Sequence, residues 1–313
     1  MNNLRKIAEI CNTSADFNGK ILFDEPMRER TTFKIGGPAE LFIEPADEKS
    51  LMFVLNELYA LKLPVFILGG GSNLVVSDKG IEGCTLSVAA LKDIRFDGSL
   101  LHCGSGCTFE EILNFCCRHA LGGLENFAGL PGSAGGAVYM NARCYEKSIS
   151  DVLAGAEYLC GTKAEDKKHY GMNAADWDYK KSPFMAMHGS GAQPLILSVS
   201  FKVYRDEPAR IKQKCAEYME DRERKGHFRY PSAGSVFKNN RAFGKPSGQI
   251  IDEAGLRAFR IGDAQIAPWH GNFIVNLGNA SADNIKELTA QIRTEVKKKN
   301  GFELECEIIF CGK

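Results

Sequence analysis

Three consecutive glycines, Gly69-Gly70-Gly71, follow a short apolar run, Pro64–Leu68, and lead into Ser72-Asn73. Consecutive glycines let the main chain take positive φ and turn several N–H groups toward one point, which makes an anion nest. A second loop of this kind, Gly129-Leu130-Pro131-Gly132-Ser133-Ala134-Gly135-Gly136, begins 60 residues later. One such cluster alone reads as a tight turn. Two, each beside an apolar strand, suit a dinucleotide pyrophosphate held from two sides. Neither is GxGxxG or GxxxxGK(S/T), so the Rossmann and P-loop readings fail at the motif level.

The pattern around these loops alternates between strand-like and helix-like segments, which excludes an all-α or all-β chain. Residues 47–62 carry Leu51, Val54, Leu55, Leu58 and Leu61 at helical spacing, ending before Pro64. Thr108 and Glu111 form a capping-box pattern that opens a helix running toward Gly122-Gly123. Leu195–Phe201 reads as a strand, and a polar, Gly- and Lys-rich insert lies elsewhere between Ala154 and Tyr204. From Glu207 to about Lys225, Ile211, Cys215 and Met219 recur every four residues in a charged setting, as on a surface helix. Ser281–Asn300 repeats the pattern with Ile285, Leu288, Ile292 and Val296; Lys297–Lys299 sit at the negative end of its dipole and Gly301 stops it. The expected division is 1–86, 87–206 and 207–313, with a boundary near Arg205–Pro208.

The 313 residues suffice for two or three domains, and 44% hydrophobic content allows a sizeable core. The 39 basic and 39 acidic side chains cancel, so nothing in the net charge points to nucleic acid. The N-terminus lacks a signal-peptide apolar stretch and no run approaches a membrane helix, so the expectation is a cytoplasmic protein with no membrane insertion. Eleven cysteines occur without a CxxC pair, which favours free and mostly buried thiols and no metal site.

Six stretches, in order, resemble UDP-N-acetylenolpyruvoylglucosamine reductases. They are Thr31–Ala39, Leu68–Val76, Gly132–Ala137 with Asn141-Ala142, Ser232–Asn239, His270–Asn276 and Leu304–Ile308. The resemblance implies an α+β fold: an FAD-binding region of the vanillyl-alcohol-oxidase (PCMH) type in two subdomains, then a C-terminal α+β substrate-binding domain. It also implies the reaction, in which NADPH reduces FAD and the reduced flavin converts UDP-N-acetylglucosamine enolpyruvate to UDP-N-acetylmuramate for peptidoglycan synthesis. A monomer is expected. Cofactor contacts are expected from Thr32, Gly69, Gly70, Gly71, Ser72, Asn73, Leu74, Gly132, Ser133, Gly135, Gly136 and Asn141. Substrate contacts are expected from Tyr179, Lys238, Asn239 and Gln265.

Reducing an enol ether conjugated to a carboxylate requires a hydride on the terminal carbon, stabilisation of the enolate, and a proton on the adjacent carbon. By motif position Ser235 matches the family's proton donor and Glu307 its catalytic carboxylate. From Phe302 to Phe310 apolar and acidic residues alternate, which predicts a strand with Glu303, Glu305 and Glu307 on one face. The family's third residue, an arginine, is replaced by Lys180 in Tyr179-Lys180-Lys181-Ser182; lysine keeps the charge and loses the bidentate fork.

Further departures are Arg143 and Glu146 where the family has glycines, Asn240 where it has proline, and a missing Gln-Pro within Arg222–Arg229. The 55 positions between Lys180 and Ser235 fit the shorter subclass, of which this chain is a divergent example. His270, alone, reads as a structural histidine and is given no acid–base role. Two alternatives stay open: a different flavin oxidoreductase on the same scaffold, and a relative that binds FAD or a UDP-sugar without turnover.

Overall fold

The computed structural model describes residues 3–161, 166–190 and 193–313. The Gly- and Lys-rich insert therefore lies partly outside the described residues. Contacts divide the chain into two units: residues 1–23, 40–70 and 83–220 form one, and 24–39, 71–82 and 221–313 the other.

The first unit is built on two sheets. Four strands stand in the order Gly19–Pro26, Pro38–Pro45, Ile81–Ser87, Val65–Leu68, and the last pair is parallel with Val65 opposite Cys84. Helix Glu48–Ala60 buries Leu51, Val54, Leu55 and Leu58 in one cluster with Leu41, Ile43 and Leu86. Asp47 caps it by accepting the Ser50 amide, and it ends at Leu61 before Lys62 takes φ +51°. The second sheet has five antiparallel strands: Lys167–Gly171, Leu153–Leu159, Leu195–Lys202, Leu100–Gly104 and Ile94–Phe96. Leu197, Val199 and Phe201 are buried while Ser198 and Ser200 are half-exposed, as period two requires. Helix Phe109–Arg118 has the expected Thr108–Glu111 capping box. It stops at His119 and the left-handed Ala120, short of Gly122, because Leu121-Gly122 is needed as a strand paired with Tyr204-Arg205.

Helix Pro208–Arg224 buries Ile211, as its four-residue spacing predicts. The division between the two units falls inside this helix, after Glu220. Within the first unit, Lys214 Nζ lies 3.9 Å from Glu125 Oε1 and 3.5 Å from Asp206 Oδ2. Both carboxylate side chains are about 95% buried, and neither of those two oxygens has a hydrogen-bond partner among the described residues.

In the second unit an antiparallel sheet runs Ser232–Ser235, Phe273–Asn276, Ala264–Ile266, Arg260–Ile261. Helix Ala282–Asn300 lays Ile285, Leu288, Ile292 and Val296 into the core, capped by Ser281 and ended by left-handed Gly301, as read from the sequence. The continuous C-terminal strand expected over 302–310 is not formed. Leu304 and Ile308 are buried and Glu303 and Glu305 exposed, so the alternation holds, but Phe310 is exposed. The segment makes a single bridge, Cys306 with Phe237, and then a three-residue strand, Ile309–Cys311, parallel to Leu74–Val76. All eleven cysteines are free and six are buried.

Replacing Lys214 by methionine keeps the stem and removes the charge that faces two buried carboxylates. Lys214 is partly exposed and Arg210, 3.4 Å from Asp206 Oδ1, remains, so the cost is about 1 kcal/mol. The midpoint of urea unfolding of Lys214→Met is expected to fall accordingly; a midpoint equal to the parent's would show that the cluster contributes nothing.

Candidate active site

In the first unit, strand Val65–Leu68 delivers Gly69 and Gly70 against the second glycine loop. A Cβ on Gly70 would lie 2.4 Å from Gly132 Cα and 2.7 Å from the Ser133 nitrogen, and one on Gly69 would lie 2.9 Å from Ser133 Oγ. A Cβ on Gly135 would stand 2.7 Å from Ser105 Cβ. Glycine is thus required at 70 by main-chain approach and at 69 and 135 by the side chains of Ser133 and Ser105, and the two loops lie directly against each other. Ser133 Oγ faces the protein: it accepts the amides of Gly70 (3.2 Å) and Gly136 (3.4 Å). Its hydroxyl orders the loops, and what they offer a ligand is main chain.

The same loop leads into helix Ala134–Tyr139, whose end carries Asn141 at φ +42°. Asn141 is buried; its Nδ2 donates to the Asp178 carbonyl (2.9 Å) and its Oδ1 accepts the Ser150 amide (3.1 Å). Ser182 Oγ donates to the Tyr139 carbonyl (2.6 Å). Those two bonds fasten the turn Asp178-Tyr179-Lys180-Lys181 to the helix that starts at Ser133. Asn141 acts through that turn, not through an exposed side chain. Lys180 is half-buried in the left-handed region at φ +55°, a conformation that costs a non-glycine residue about 1 kcal/mol and persists where neighbours fix it. Lys181 pairs with Asp178 (3.3 Å); the Tyr179 amide and then this ammonium hold the Asp178 carboxyl below its ordinary range.

The glycine departures have a local solution. Tyr145 and Glu146 both take positive φ, +47° and +66°, in the two-residue turn between Arg143-Cys144 and Lys147-Ser148. Glu146 stands where the resemblance has glycine. The turn is held by the Tyr145 ring against Tyr218 (centroids 4.4 Å) and by the Tyr145 hydroxyl donating to the Tyr218 carbonyl (3.0 Å).

In the second unit the remaining residues converge. Ser235 ends strand Ser232–Ser235 opposite Phe273 and is half-buried. The Glu307 amide donates to the carbonyl of Val236, the next residue, at 2.7 Å, and the Lys238 amide donates to Glu305 O at 2.9 Å. Ser235 and Glu307 therefore sit on adjoining segments. Glu307 O accepts Asn73 Nδ2 (2.9 Å), and Asn73 O accepts the Ile309 amide (2.9 Å). Thr32 donates its amide to Gly71 O (3.2 Å) and its hydroxyl to Ser232 O (2.8 Å). The side-chain donors expected to face a cofactor at Thr32 and Asn73 are engaged with the chain itself, and Leu74 opens strand Leu74–Val76.

Lys238 Nζ pairs with Glu305 Oε1 (2.5 Å), Asn239 Oδ1 accepts the Ser247 amide (2.8 Å), and Gln265 Nε2 donates to Ala258 O (3.0 Å). Sequence reasoning missed Asn272. This buried residue holds Phe237 by both main-chain groups, accepting its amide at 2.9 Å and donating to its carbonyl at 2.8 Å. An asparagine just before an apolar strand in the His270–Asn276 stretch was the available signal. His270 Nδ1 accepts the Asn272 amide (3.2 Å), and burial lowers its pKa, which suits a neutral structural ring.

A family model described as the C-terminal domain of UDP-N-acetylenolpyruvoylglucosamine reductase matches residues 226–311, and one described as an FAD binding domain matches 39–162. The enzyme of that name from Treponema denticola is 44% identical over 100% of this chain and 99% of its own length. The Treponema pallidum protein is 42% identical over 92% of each. The chain belongs to the UDP-N-acetylenolpyruvoylglucosamine reductase family. The solved structure of the Thermus caldophilus reductase superposes with a TM-score of 0.73 at 29% identity, covering 94% of this chain and 99% of that one.

The fold is accordingly α+β with an FAD-binding region of the vanillyl-alcohol-oxidase type, and the protein is a flavin-dependent oxidoreductase. The residues present fit FAD: Gly69 and Gly70 lie against the 132–136 loop so closely that neither can carry a side chain, which leaves a glycine-rich main-chain surface suited to a pyrophosphate. Gly70→Ala is expected to displace the 132–133 loop and yield protein with less than about a tenth of the parent's flavin absorbance, since a 2.4 Å approach to backbone cannot be relieved by a rotamer change. Full yellow colour in that variant would contradict the role of the contact.

Proposed function

We propose that Ser235, Glu307 and Lys180 are the catalytic side chains of a NADPH-dependent, FAD-mediated reduction of UDP-N-acetylglucosamine enolpyruvate to UDP-N-acetylmuramate, the family's step in peptidoglycan precursor synthesis. The observation that supports this reading is the 2.7 Å bond from the Glu307 amide to the residue after Ser235, which puts the two residues on adjoining backbone segments. FAD, when bound, supplies the hydride. The protein supplies position, charge and proton.

Hydride addition at the terminal carbon of the enolpyruvyl group leaves an electron pair shared between the adjacent carbon and the carboxylate. Lys180, cationic and fixed in its turn, offsets that charge. Ser235 donates its proton to the adjacent carbon, completing the saturated lactyl ether. Serine is a weak acid, so its surroundings must favour the transfer and hold the hydroxyl within reach; Glu307 orients the site and stabilises the enolic intermediate.

Tyr179, Lys238, Asn239 and Gln265 contact the nucleotide sugar, and the backbone loops with Thr32, Gly71, Ser72, Asn73, Leu74 and Asn141 shape the cofactor site. The divisions 1–86 and 87–206 correspond to the two halves of the FAD-binding region, and 207–313 to the substrate domain. The protein acts as a cytoplasmic monomer. Among the described residues, no helix is long and apolar enough to cross a membrane.

Ser235→Ala is expected to keep flavin and its bleaching by NADPH while slowing recolouring by the enolpyruvyl sugar about a hundredfold or more. Recolouring at the parent's rate would remove Ser235 as the proton donor. Lys180→Arg restores the bidentate fork and should preserve or raise turnover; a large loss would mean that the turn is built around lysine.

A further inference from the structure

Both main-chain groups of Glu307 are hydrogen-bonded. Its N–H is tied to Val236 O, and its C=O to Asn73 Nδ2. Asn73 also receives the Ile309 amide on its main-chain oxygen, so one residue grips positions 307 and 309 together. The parallel ladder that pairs Leu74 with Ile309 would otherwise end there, and the Asn73 side chain extends it by one more rung. Glu307 is half-buried and lies outside any strand, so these two bonds fix where its Cα stands.

We propose that Asn73 is a positioning residue for Glu307: its side-chain N–H holds the Glu307 carbonyl and so sets the direction of the carboxylate in the substrate-reducing step. This rests on Glu307 being catalytic. A residue in the glycine loop, expected to serve the cofactor, thus acts on the proton-transfer side of the reaction. A misplacement of about 1 Å in a catalytic group slows chemistry about a hundredfold, so loosening the Glu307 carbonyl should be read in the rate.

The test separates the two half-reactions by flavin absorbance, bleaching with NADPH and recolouring with the enolpyruvyl sugar. In Asn73→Leu the ratio of recolouring to bleaching rates should fall about ten- to a hundredfold, and Asn73→Gln, which keeps the donor, should recover part of it. Should Asn73→Leu be isolated without flavin, Asn73→Asp serves instead: it has the same shape and no N–H to give. A parent-like ratio in the variant that holds flavin overturns the proposal.

A double-mutant cycle with Glu307→Gln completes the test. If Asn73 acts through Glu307, its substitution changes the ratio less than about threefold once Glu307 is already gone. A full additional loss in that background overturns the positioning role while leaving Glu307 catalytic. A parent-like rate in Glu307→Gln alone sinks the catalytic reading itself.

Discussion

The two main-chain groups of Glu307 are the joint that ties together three segments of the second unit. A half-buried carboxylate on an irregular segment has no regular ladder to aim it, and its direction comes from hydrogen bonds at its own N–H and C=O. Those bonds come from two segments far apart in sequence, Val236 beside Ser235 and Asn73 in the glycine loop. Ser235 and Glu307 lie on adjoining segments because the N–H and the C=O of one residue are satisfied by two segments far apart in sequence.

The same device recurs across that unit. Asn272 holds Phe237 by both main-chain groups. Asn276 donates to the carbonyls of Phe33 and Lys34 and accepts the amides of Gly278 and Ala280. Asn239 receives the Ser247 amide ahead of helix Ser247–Glu253. Four asparagine side chains thus stand where a longer sheet would have put peptide groups. A buried amide can satisfy a carbonyl and an N–H at once, which lets strands of three or four residues end without leaving orphaned groups.

That substitution explains what was legible in the sequence and what was not. The stripe Ile285, Leu288, Ile292 and Val296 and the box Thr108–Glu111 are periodic and local, so their helices follow from the residues alone. The alternation from Phe302 to Ile308 is also real in burial. It did not make a strand, because alternation records which side chains face the core and not whether a partner strand supplies hydrogen bonds. Only Phe237 and then Leu74–Val76 are there to pair with it. The glycines at 69, 70, 132 and 135 were legible as a flexible loop pair. What requires glycine at 70, direct contact with the backbone of Gly132 and Ser133, depends on a neighbour 63 positions away in the Gly70–Ser133 bond, which no local pattern carries.

The glycine loop itself has two structural allegiances. The division of the chain falls between Gly70 and Gly71. On one side Gly69 and Gly70 lie against Gly132 and Ser133, where the absence of side chains leaves main chain for a phosphate. On the other, Gly71 O receives the Thr32 amide and Asn73 holds Glu307 and Ile309. Read as a motif, Gly-Gly-Gly-Ser-Asn is a cofactor cradle throughout. Read by its bonds, its first half packs on the second glycine loop and its last residue ties down the segment of Glu307. A substitution in the first half should therefore show itself in flavin content, and one at Asn73 in the fate of the sugar.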